Sequence, residues 1–236
     1  MENYKSSCQD CALRIACFPS SVNVSELPQL DAIIEKDQII PNQGAIFHQY
    51  KTSPHIYAVR SGAVKTTISL GDKREQIIGF FLPGDIIGIE NIGTNIYNNN
   101  AYAIQKTSIC AISTENLKTI VSQAHGLQEY FLKLAAKQIQ EDQKNMLLLN
   151  QLNTSERVAM FLLSLAARYK AKQLSNKLIY LPMSKSDISN YLGITAETLS
   201  RVLSKLKKEQ IIAVKGRLIT ILDDEYLQNI LNNPVP

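Results

Sequence analysis

The sequence contains no tryptophan, and aromatic residues make up only 7% of its 236 residues. Aliphatic side chains must therefore supply most of any core. It also lacks a run of about 18 consecutive apolar residues, the length that a membrane-spanning helix requires, and the longest mostly apolar run, 158–167, is too short. The first residues, MENYKSSCQDC, carry no apolar stretch after their charges, so they do not form a secretory signal. We therefore expect a cytoplasmic chain with no membrane partner and with reduced thiols.

The net charge of +4 is distributed unevenly along the chain. Residues 1–152 carry 13 Lys and Arg against 14 Asp and Glu, whereas residues 153–236 carry 12 against 7. This asymmetry favours a polyanion such as nucleic acid as a partner of the C-terminal third, although an ordinary basic surface would have the same composition. Hydrophobic residues reach 45%, enough to bury a core in one or two domains.

The region 39–112 has the pattern of many short strands, and seven of the ten glycines of the chain lie within it. The β-rich runs lie at 55–60, 63–70, 76–82 and 101–112. Turn signals such as Ser61-Gly62 and Pro83-Gly84-Asp85 separate them. Short strands at this spacing predict a β-barrel or a sandwich-like roll.

The region 127–150 changes to a helical period and contains neither glycine nor proline. It predicts a helix of about 24 residues, or roughly 36 Å, which is longer than a compact barrel needs and indicates a linking or dimerising element. One face carries a mostly apolar seam with a single carboxylate, predicted as the dimer interface: Leu132, Ala135, Ile139, Asp142, Met146 and Leu149. The alternative for Asp142 is a solvated position on an exposed face.

The C-terminal region predicts a small unit of helices followed by two short strands, 211–214 and 218–222. Its strongest local signal is the segment 183–208, MSKSDISNYLGITAETLSRVLSKLKK. Ser184 and Asp187 form a capping-box-like pair, and Gly193 permits the positive φ of a tight turn between helices. The segment predicts a helix-turn-helix, and the two strands that follow predict its wing.

The second helix of this motif would place its N-terminal residues against DNA bases. Glu197 can accept from a cytosine amino group, and Arg201 can donate twice to guanine or bind a phosphate. With the wing tip, the predicted DNA-binding residues are Thr195, Glu197, Ser200, Arg201, Lys215 and Arg217. The alternative interpretation is a helical packing unit whose lysines are solvated and whose Glu197 offsets the helix dipole.

The four cysteines are Cys8, Cys11, Cys17 and Cys110. The first three form C-x2-C-x5-C in a polar segment, and the fourth lies at the end of the strand-rich region. Four thiolates with no histidine nearby suit zinc or an iron–sulfur cluster, and the isolated fourth cysteine favours the cluster. A redox thiol pair and inert thiols are the alternatives. The three histidines, His48, His55 and His125, are not predicted to be ligands.

Nearly the whole chain, about 7–222, resembles the Crp/Fnr superfamily, and within it the oxygen-sensing fumarate and nitrate reduction regulators. The motifs that carry the resemblance are C-Q-D-C-x5-C (8–17), L-x-x-L-D-x-I-I-E (27–35), Y-A-x-R-S-G (57–62), P-G-D (83–85), Cys110, D-Q-x-x-M-L-L-L (142–149) and D-I-x-N-Y-L-G-I-T-x-E-T-x-S-R (187–201).

The resemblance implies an α+β fold with four parts. These are a cysteine-bearing segment (1–30), a double-stranded β-helix or cyclic-nucleotide-binding-like β-roll (31–125), a dimerisation helix (126–152) and a winged helix-turn-helix (153–236). The four cysteines match the ligands of an oxygen-labile [4Fe–4S] cluster. Glu197, Ser200 and Arg201 match residues that read a palindromic operator of the TTGAT…ATCAA type. A homodimer would contact RNA polymerase, activating anaerobic genes and repressing aerobic ones.

Three other functions compete with this interpretation. A regulator of the same fold gated by a cyclic nucleotide is disfavoured, because the segment 86–104 contains no arginine for the phosphate. A zinc-stabilised regulator without redox sensing would use the same thiols. An enzyme, such as a thiol oxidoreductase using Cys8 and Cys11, is not expected, since no βαβ pattern surrounds that pair and no nucleophile–base set is visible.

Overall fold

The computed structural model describes residues 7–17, 20, 27–71, 74–123 and 125–232. Residues 1–6, 18–19 and 21–26 of the predicted cysteine-bearing segment lie outside the described part. The chain divides into two compact units, Met1–Ile139 and Gln140–Pro236, and the division falls within a long helix. The domain boundaries predicted after residues 30, 125 and 152 stay predictions.

The N-terminal unit is built mainly from short strands, as the glycine-punctuated pattern predicts. Its elements are α1 (Leu27–Ile33), β1 (Ile34–Ile40), β2 (Ala45–Phe47), β3 (His55–Ser61), β4 (Val64–Ser69), β5 (Glu75–Phe81), β6 (Ile86–Ile87), β7 (Asn100–Ala103), β8 (Thr107–Ser113), α2 (Thr114–Gln123) and the start of α3 (His125–Asn150). The run predicted at 101–112 is two strands, β7 and β8, with a bend between them. The sequence pattern of residues 1–30 predicts irregular structure, but residues 27–30 begin α1, so that prediction is wrong there.

The strands form two four-stranded antiparallel sheets, ordered β1-β8-β3-β6 and β2-β7-β4-β5. In the first sheet β8 is central and pairs with β1 on one side and β3 on the other. Consecutive strands repeatedly cross to the other sheet, as β3 does to β4 through the turn at Gly62 (φ 87°). This arrangement confirms the predicted β-roll.

Two apolar clusters form the core of this unit. One fills the interior of the roll with residues such as Phe47, Tyr57, Tyr97 and Ile109. The other joins the helices to the cysteine segment, and it includes Leu27, Leu30 and Leu127 together with Cys8 and Cys17. The second cluster explains why α1 forms next to the sheet: its two leucines are fully buried there.

The C-terminal unit contains the end of α3 and the predicted winged helix-turn-helix. Its elements are α4 (Thr154–Ala171), β9 (Leu178–Tyr180), α5 (Lys185–Leu192), α6 (Ala196–Lys208), β10 (Ile212–Lys215), β11 (Leu218–Ile221) and α7 (Asp224–Asn232). A three-stranded antiparallel sheet, ordered β10-β11-β9, forms the wing. The sequence pattern predicted the two later strands and missed β9 and α7, which are short.

Candidate functional site

The four cysteines line a single pocket of the N-terminal unit. Cys8 and Cys17 are buried, Cys11 and Cys110 are half-buried, and none forms a disulfide. The empty space in the pocket, including its open mouth, is about 350 Å³. The rest of the lining consists of four apolar residues and two arginines: Leu13, Ile34, Ala58, Val59, Arg14 and Arg60. The structure thus brings together thiols that lie up to about a hundred residues apart in the sequence.

Tight turns place the first three thiols on one side of this pocket. The Cys11 amide donates to the Cys8 carbonyl at 3.4 Å, and the Arg14 amide donates to the Cys11 carbonyl at 3.0 Å. Such turns curl the segment, so that side chains three and six residues apart point inward. Cys110 approaches from the central strand β8, where it lies opposite Ala58 of β3. One turn-rich segment and one strand therefore supply the four thiols.

Gly84 allows the cysteine segment to lie close to the sheet. Its φ is +90°, and an added Cβ would lie only 2.6 Å from the carbonyl oxygen of Ala16. The Gly84 amide donates to the Val59 carbonyl at 2.8 Å, which fixes the turn on β3. Any larger residue at position 84 would displace the backbone next to Cys17.

Asp31 of α1 anchors the start of the same segment. Its carboxylate accepts from the Ser7 hydroxyl and from the Cys8 amide, both at 2.6 Å. Burial raises the pKa of the Cys8 thiol, and the neighbouring Asp31 carboxylate and the Cys17 and Cys110 thiols raise it further. Three of the four cysteines are thus close enough to influence one another electrostatically.

The donor set of the pocket consists of four thiols. In the described part of the chain, no three His, Cys, Asp or Glu side chains converge closely enough to hold one metal ion. The four cysteines nevertheless share one pocket. Thiolates are soft ligands that bind both zinc and iron–sulfur clusters, so the four cysteines of this pocket fit either group.

The long helix α3 touches the region of the cysteine pocket with one of its faces. Tyr130, Phe131 and Leu134 pack against the apolar cluster that includes Cys8 and Cys17. Burial raises the pKa of the Tyr130 phenol, and the nearby Cys17 and Asp85 raise it further. The phenol therefore lies in the neighbourhood of both Cys17 and Asp85.

The adjoining face of α3 carries the predicted dimer seam. At 3.6 residues per turn its six positions fall within roughly 100° of arc. The large apolar members are exposed: Leu132 by 72%, Ile139 by 59%, Met146 by 68% and Leu149 by 41%. Ala135 and Asp142 are also exposed. Such a stripe on one helix is an unusual amount of apolar surface to leave in water.

The interior of the β-roll is filled by stacked aromatic rings. The rings of Phe47 and Tyr97 lie 4.0 Å apart at 7°, and Phe47 also stacks on Tyr57 at 5.9 Å. These rings and aliphatic neighbours such as Val59 pack as a core. Together with the lack of arginine in 86–104, this packing gives no support to a cyclic-nucleotide site.

The helix-turn-helix has the caps that its sequence predicts. Ser184 and Asp187 form a capping box at the start of α5. Gly193 ends α5 with φ 63°, and Thr195 caps α6 by accepting from the Thr198 amide at 3.1 Å. The motif is held together by buried leucines on both helices, including Leu192 and Leu199.

The predicted DNA-binding residues lie at the surface of this motif. Thr195, Glu197, Arg201, Lys215 and Arg217 are exposed, and Ser200 is half-buried. Both arginines of this set also donate to groups within the domain. Arg217 donates to the Pro182 carbonyl at 2.9 Å, and Arg201 donates to the Thr198 hydroxyl at 3.2 Å.

Sequence reasoning missed two neighbours of the recognition surface. Lys185 donates to the Ser200 hydroxyl at 3.3 Å from the first turn of α5. Thr198 shares a 2.8 Å hydrogen bond with Thr195 and accepts from Arg201. The i, i+3 spacing of Thr195, Thr198 and Arg201 on a helix signals this chain of contacts, whereas the Lys185 contact is visible only in the fold.

Comparison with known proteins identifies the family. The Crp-like helix-turn-helix domain matches residues 156–230, and the cyclic nucleotide-binding domain matches residues 38–124. The chain is 36% identical over 233 residues to the fumarate and nitrate reduction regulatory protein of Yersinia pestis, covering 99% of this chain and 93% of that protein. The chain belongs to the Crp/Fnr family of transcription regulators.

Other Crp/Fnr proteins agree with this assignment. The transcriptional activator protein Anr of Pseudomonas protegens is 37% identical over 217 residues, covering 92% of this chain and 88% of that protein. The solved structure of FixK2 from Bradyrhizobium japonicum is 31% identical, with a TM-score of 0.75, and covers 82% of this chain and 96% of that chain.

Membership of the Crp/Fnr family makes this chain a DNA-binding transcription regulator and not an enzyme. A helix-turn-helix of this family implies DNA binding and dimer formation. Within the described ranges, no helix combines the length and the hydropathy needed to cross a bilayer.

Proposed function

We propose that this regulator senses oxygen through an iron–sulfur cluster bound by Cys8, Cys11, Cys17 and Cys110. In the absence of oxygen it dimerises and binds palindromic operator DNA. The observation that carries the proposal is the convergence of the four thiols on one mostly apolar pocket. The names of the relatives, which include a fumarate and nitrate reduction regulatory protein, support it.

The residues around the pocket would hold the group in a defined place. A [4Fe–4S] cluster, when bound by these four thiolates, supplies a group whose integrity depends on the absence of oxygen. Leu13 and Ile34 limit the access of water to the thiols, and Asp31 fixes the backbone of Cys8. Arg14 and Arg60 complete the lining with the aliphatic parts of their side chains.

Dimerisation is opposed by one carboxylate in an otherwise apolar seam. In a parallel dimer, Asp142 would face its copy between Ile139 and Met146. Two carboxylates in a partly buried interface repel each other and lose hydration, at a cost on the order of a few kcal/mol. Burial of the exposed apolar side chains of the seam favours the dimer by a similar free energy. The monomer–dimer balance is therefore poised, and a few kcal/mol of differential stabilisation shifts it.

The inner face of α3, which carries Tyr130 and Leu134, connects the thiol pocket to the helix that bears the seam. Tyr130 and Leu134 pack against the apolar core residues around Cys8 and Cys17. When the four thiols bind a group, residues 8–17 are held against the sheet. The inner face of α3 then packs against these residues in one arrangement. The helix is then held in the position in which its outer face meets a second copy.

Only the dimer presents two recognition helices about one turn of DNA apart. Glu197 accepts from cytosine, Arg201 donates to guanine or a phosphate, and Ser200 and Thr195 adapt to the neighbouring bases. Lys215 and Arg217 on the wing contact the adjacent backbone. We infer a TTGAT…ATCAA-type operator, contact with RNA polymerase in the cytoplasm, activation of anaerobic genes and repression of aerobic ones.

Anaerobic purification followed by iron and acid-labile sulfide analysis tests this proposal. We expect about four irons and four sulfides per chain in the folded protein, and a visible absorbance that bleaches in air. A colourless protein without iron or sulfide would contradict oxygen sensing. If such a protein contained zinc, the zinc-stabilised alternative would replace the proposal.

A further inference from the structure

Arg157, in the first turn of α4, connects the end of the long helix to the turn of the helix-turn-helix. Its Nε donates to the Leu152 carbonyl at 2.9 Å, and its Nη2 donates to the Leu149 carbonyl at 3.1 Å. Its Nη1 donates to the carbonyls of Leu192 at 3.0 Å and Gly193 at 3.4 Å. All these residues belong to the C-terminal compact unit.

The carbonyls that Arg157 binds are those that helix ends leave without partners. Leu149 lies in the last turn of α3, and Leu192 is the last residue of α5. The final carbonyls of a helix lack intrahelical donors and carry a partial negative charge. The planar guanidinium offers five N–H donors in fixed directions, so one side chain can bind both helix ends.

A further hydrogen bond and a close approach of the backbone join the same two elements. The Tyr191 hydroxyl of α5 donates to the Asn145 side-chain carbonyl of α3 at 2.7 Å. A Cβ added to Gly193 would lie 3.2 Å from Leu149 Cδ2 and 3.3 Å from Arg157 Nη1. The turn of the helix-turn-helix therefore rests directly on the end of α3, and no larger residue fits at 193 without displacement.

We propose that Arg157 is a positioning residue for operator recognition, one that fixes the direction of α6 relative to the C-terminal half of α3. The inference rests on the proposed dimer along α3. In such a dimer, two rigid connections of this kind fix the distance and the angle between the two recognition helices. Arg157 acts through the carbonyls of Leu149 and Leu192, and the spacing between operator half-sites that the dimer accepts depends on it.

The test measures how operator affinity depends on half-site spacing. Anaerobic full-length protein is titrated against duplexes with the native spacing, with one base pair added or removed, and with a single half-site. Each base pair changes the separation by about 3.4 Å and rotates the second half-site by about 35°. Arg157→Gln removes the guanidinium that donates to several carbonyls at once. Lys170→Gln removes a positive charge from an exposed position on the same helix and is the control for charge.

For the wild type and Lys170→Gln, we expect strong preference for the native spacing. For Arg157→Gln, we expect about a tenfold loss of affinity at the native spacing, little change at the altered spacings, and unchanged single half-site affinity. Tyr191→Phe should show a weaker form of the same profile. If Arg157→Gln does not fold, Arg157→Lys, which keeps the charge and loses the guanidinium, is expected to show the relaxed spacing profile.

An unchanged spacing preference in the Arg157 variant would overturn the inference. An equal loss at every duplex, including the single half-site, would also overturn it, because Arg157 would then act on the DNA or on the domain as a whole. A wild-type protein with no spacing preference would instead contradict the proposed dimer, and the inference would fall with it.

Discussion

The backbone amide of Cys8 donates to the Asp31 carboxylate at 2.6 Å, so the start of the cysteine segment is fixed to helix α1. This contact joins residues 23 positions apart. It determines where the first thiol enters the pocket, independently of any bound group.

Replacement of Asp31 tests this anchor. In Asp31→Ala, the amide of Cys8, a residue that is only 8% exposed, loses its acceptor. The loss of a buried acceptor costs about 1–3 kcal/mol, and hydrogen exchange at this amide should accelerate roughly 5–150-fold. Asp31→Asn keeps an oxygen acceptor and serves as the control. Equal exchange rates in the alanine and asparagine variants would show that the anchor has no role.

Cys110 is the thiol that the strand β8 supplies, and its replacement tests whether all four thiols act together. We expect Cys110→Ser to purify without iron and to lose operator binding under anaerobic conditions, because three thiolates leave one iron without its protein ligand. Ser108→Ala, on the same strand, should keep both properties. Full anaerobic activity of Cys110→Ser would be incompatible with a four-cysteine site.

Asp142 is the only carboxylate within the seam of α3, so its removal should favour the dimer. We expect Asp142→Ala to dimerise in air at least about tenfold more tightly than the wild type, since 1.4 kcal/mol of relieved repulsion gives that factor. Glu141→Ala removes the same charge at the adjacent position, outside the seam, and should leave the equilibrium nearly unchanged. Sedimentation at several concentrations measures both. A monomeric Asp142→Ala protein would refute the repulsion account.

Arg201 and Lys208 lie two turns apart on one face of α6 and should contribute differently to DNA binding. Arg201→Ala is expected to cost about 1–3 kcal/mol and to relax discrimination at one base pair. Lys208→Ala is expected to weaken binding equally for all sequences and to reduce the salt slope by about one. Titrations against operator variants at several salt concentrations separate these effects. Identical sequence profiles for the two variants would contradict base reading by Arg201.

Local signals in the sequence predicted the elements that position the DNA-binding surface. The Ser184 cap and Gly193 specify the ends of α5 through their own backbone preferences, so they are readable without the fold. The cysteine spacing, together with the resemblance, predicted that four distant thiols act together. The early helix α1 was missed because its seven residues are too few for a clear period and include Pro28.

The contacts of Asp31 and Arg157 could not be predicted in the same way. Asp31 reaches Cys8 because α1 packs beside the cysteine segment, and Arg157 reaches Leu192 across 35 positions of sequence. Such contacts depend on which elements the fold brings together, and no local pattern records them. The same holds for the Lys185–Ser200 contact on the recognition surface.

The most direct test of oxygen sensing is the operator affinity of one anaerobic preparation, measured before and after exposure to air. Iron and sulfide are quantified in the same samples, and Cys110→Ser serves as the control that should bind weakly in both. The account predicts tight binding without oxygen and at least about a tenfold loss of affinity in air, the factor that corresponds to 1.4 kcal/mol. Equal affinity before and after air, in a protein that contains no iron, would contradict it.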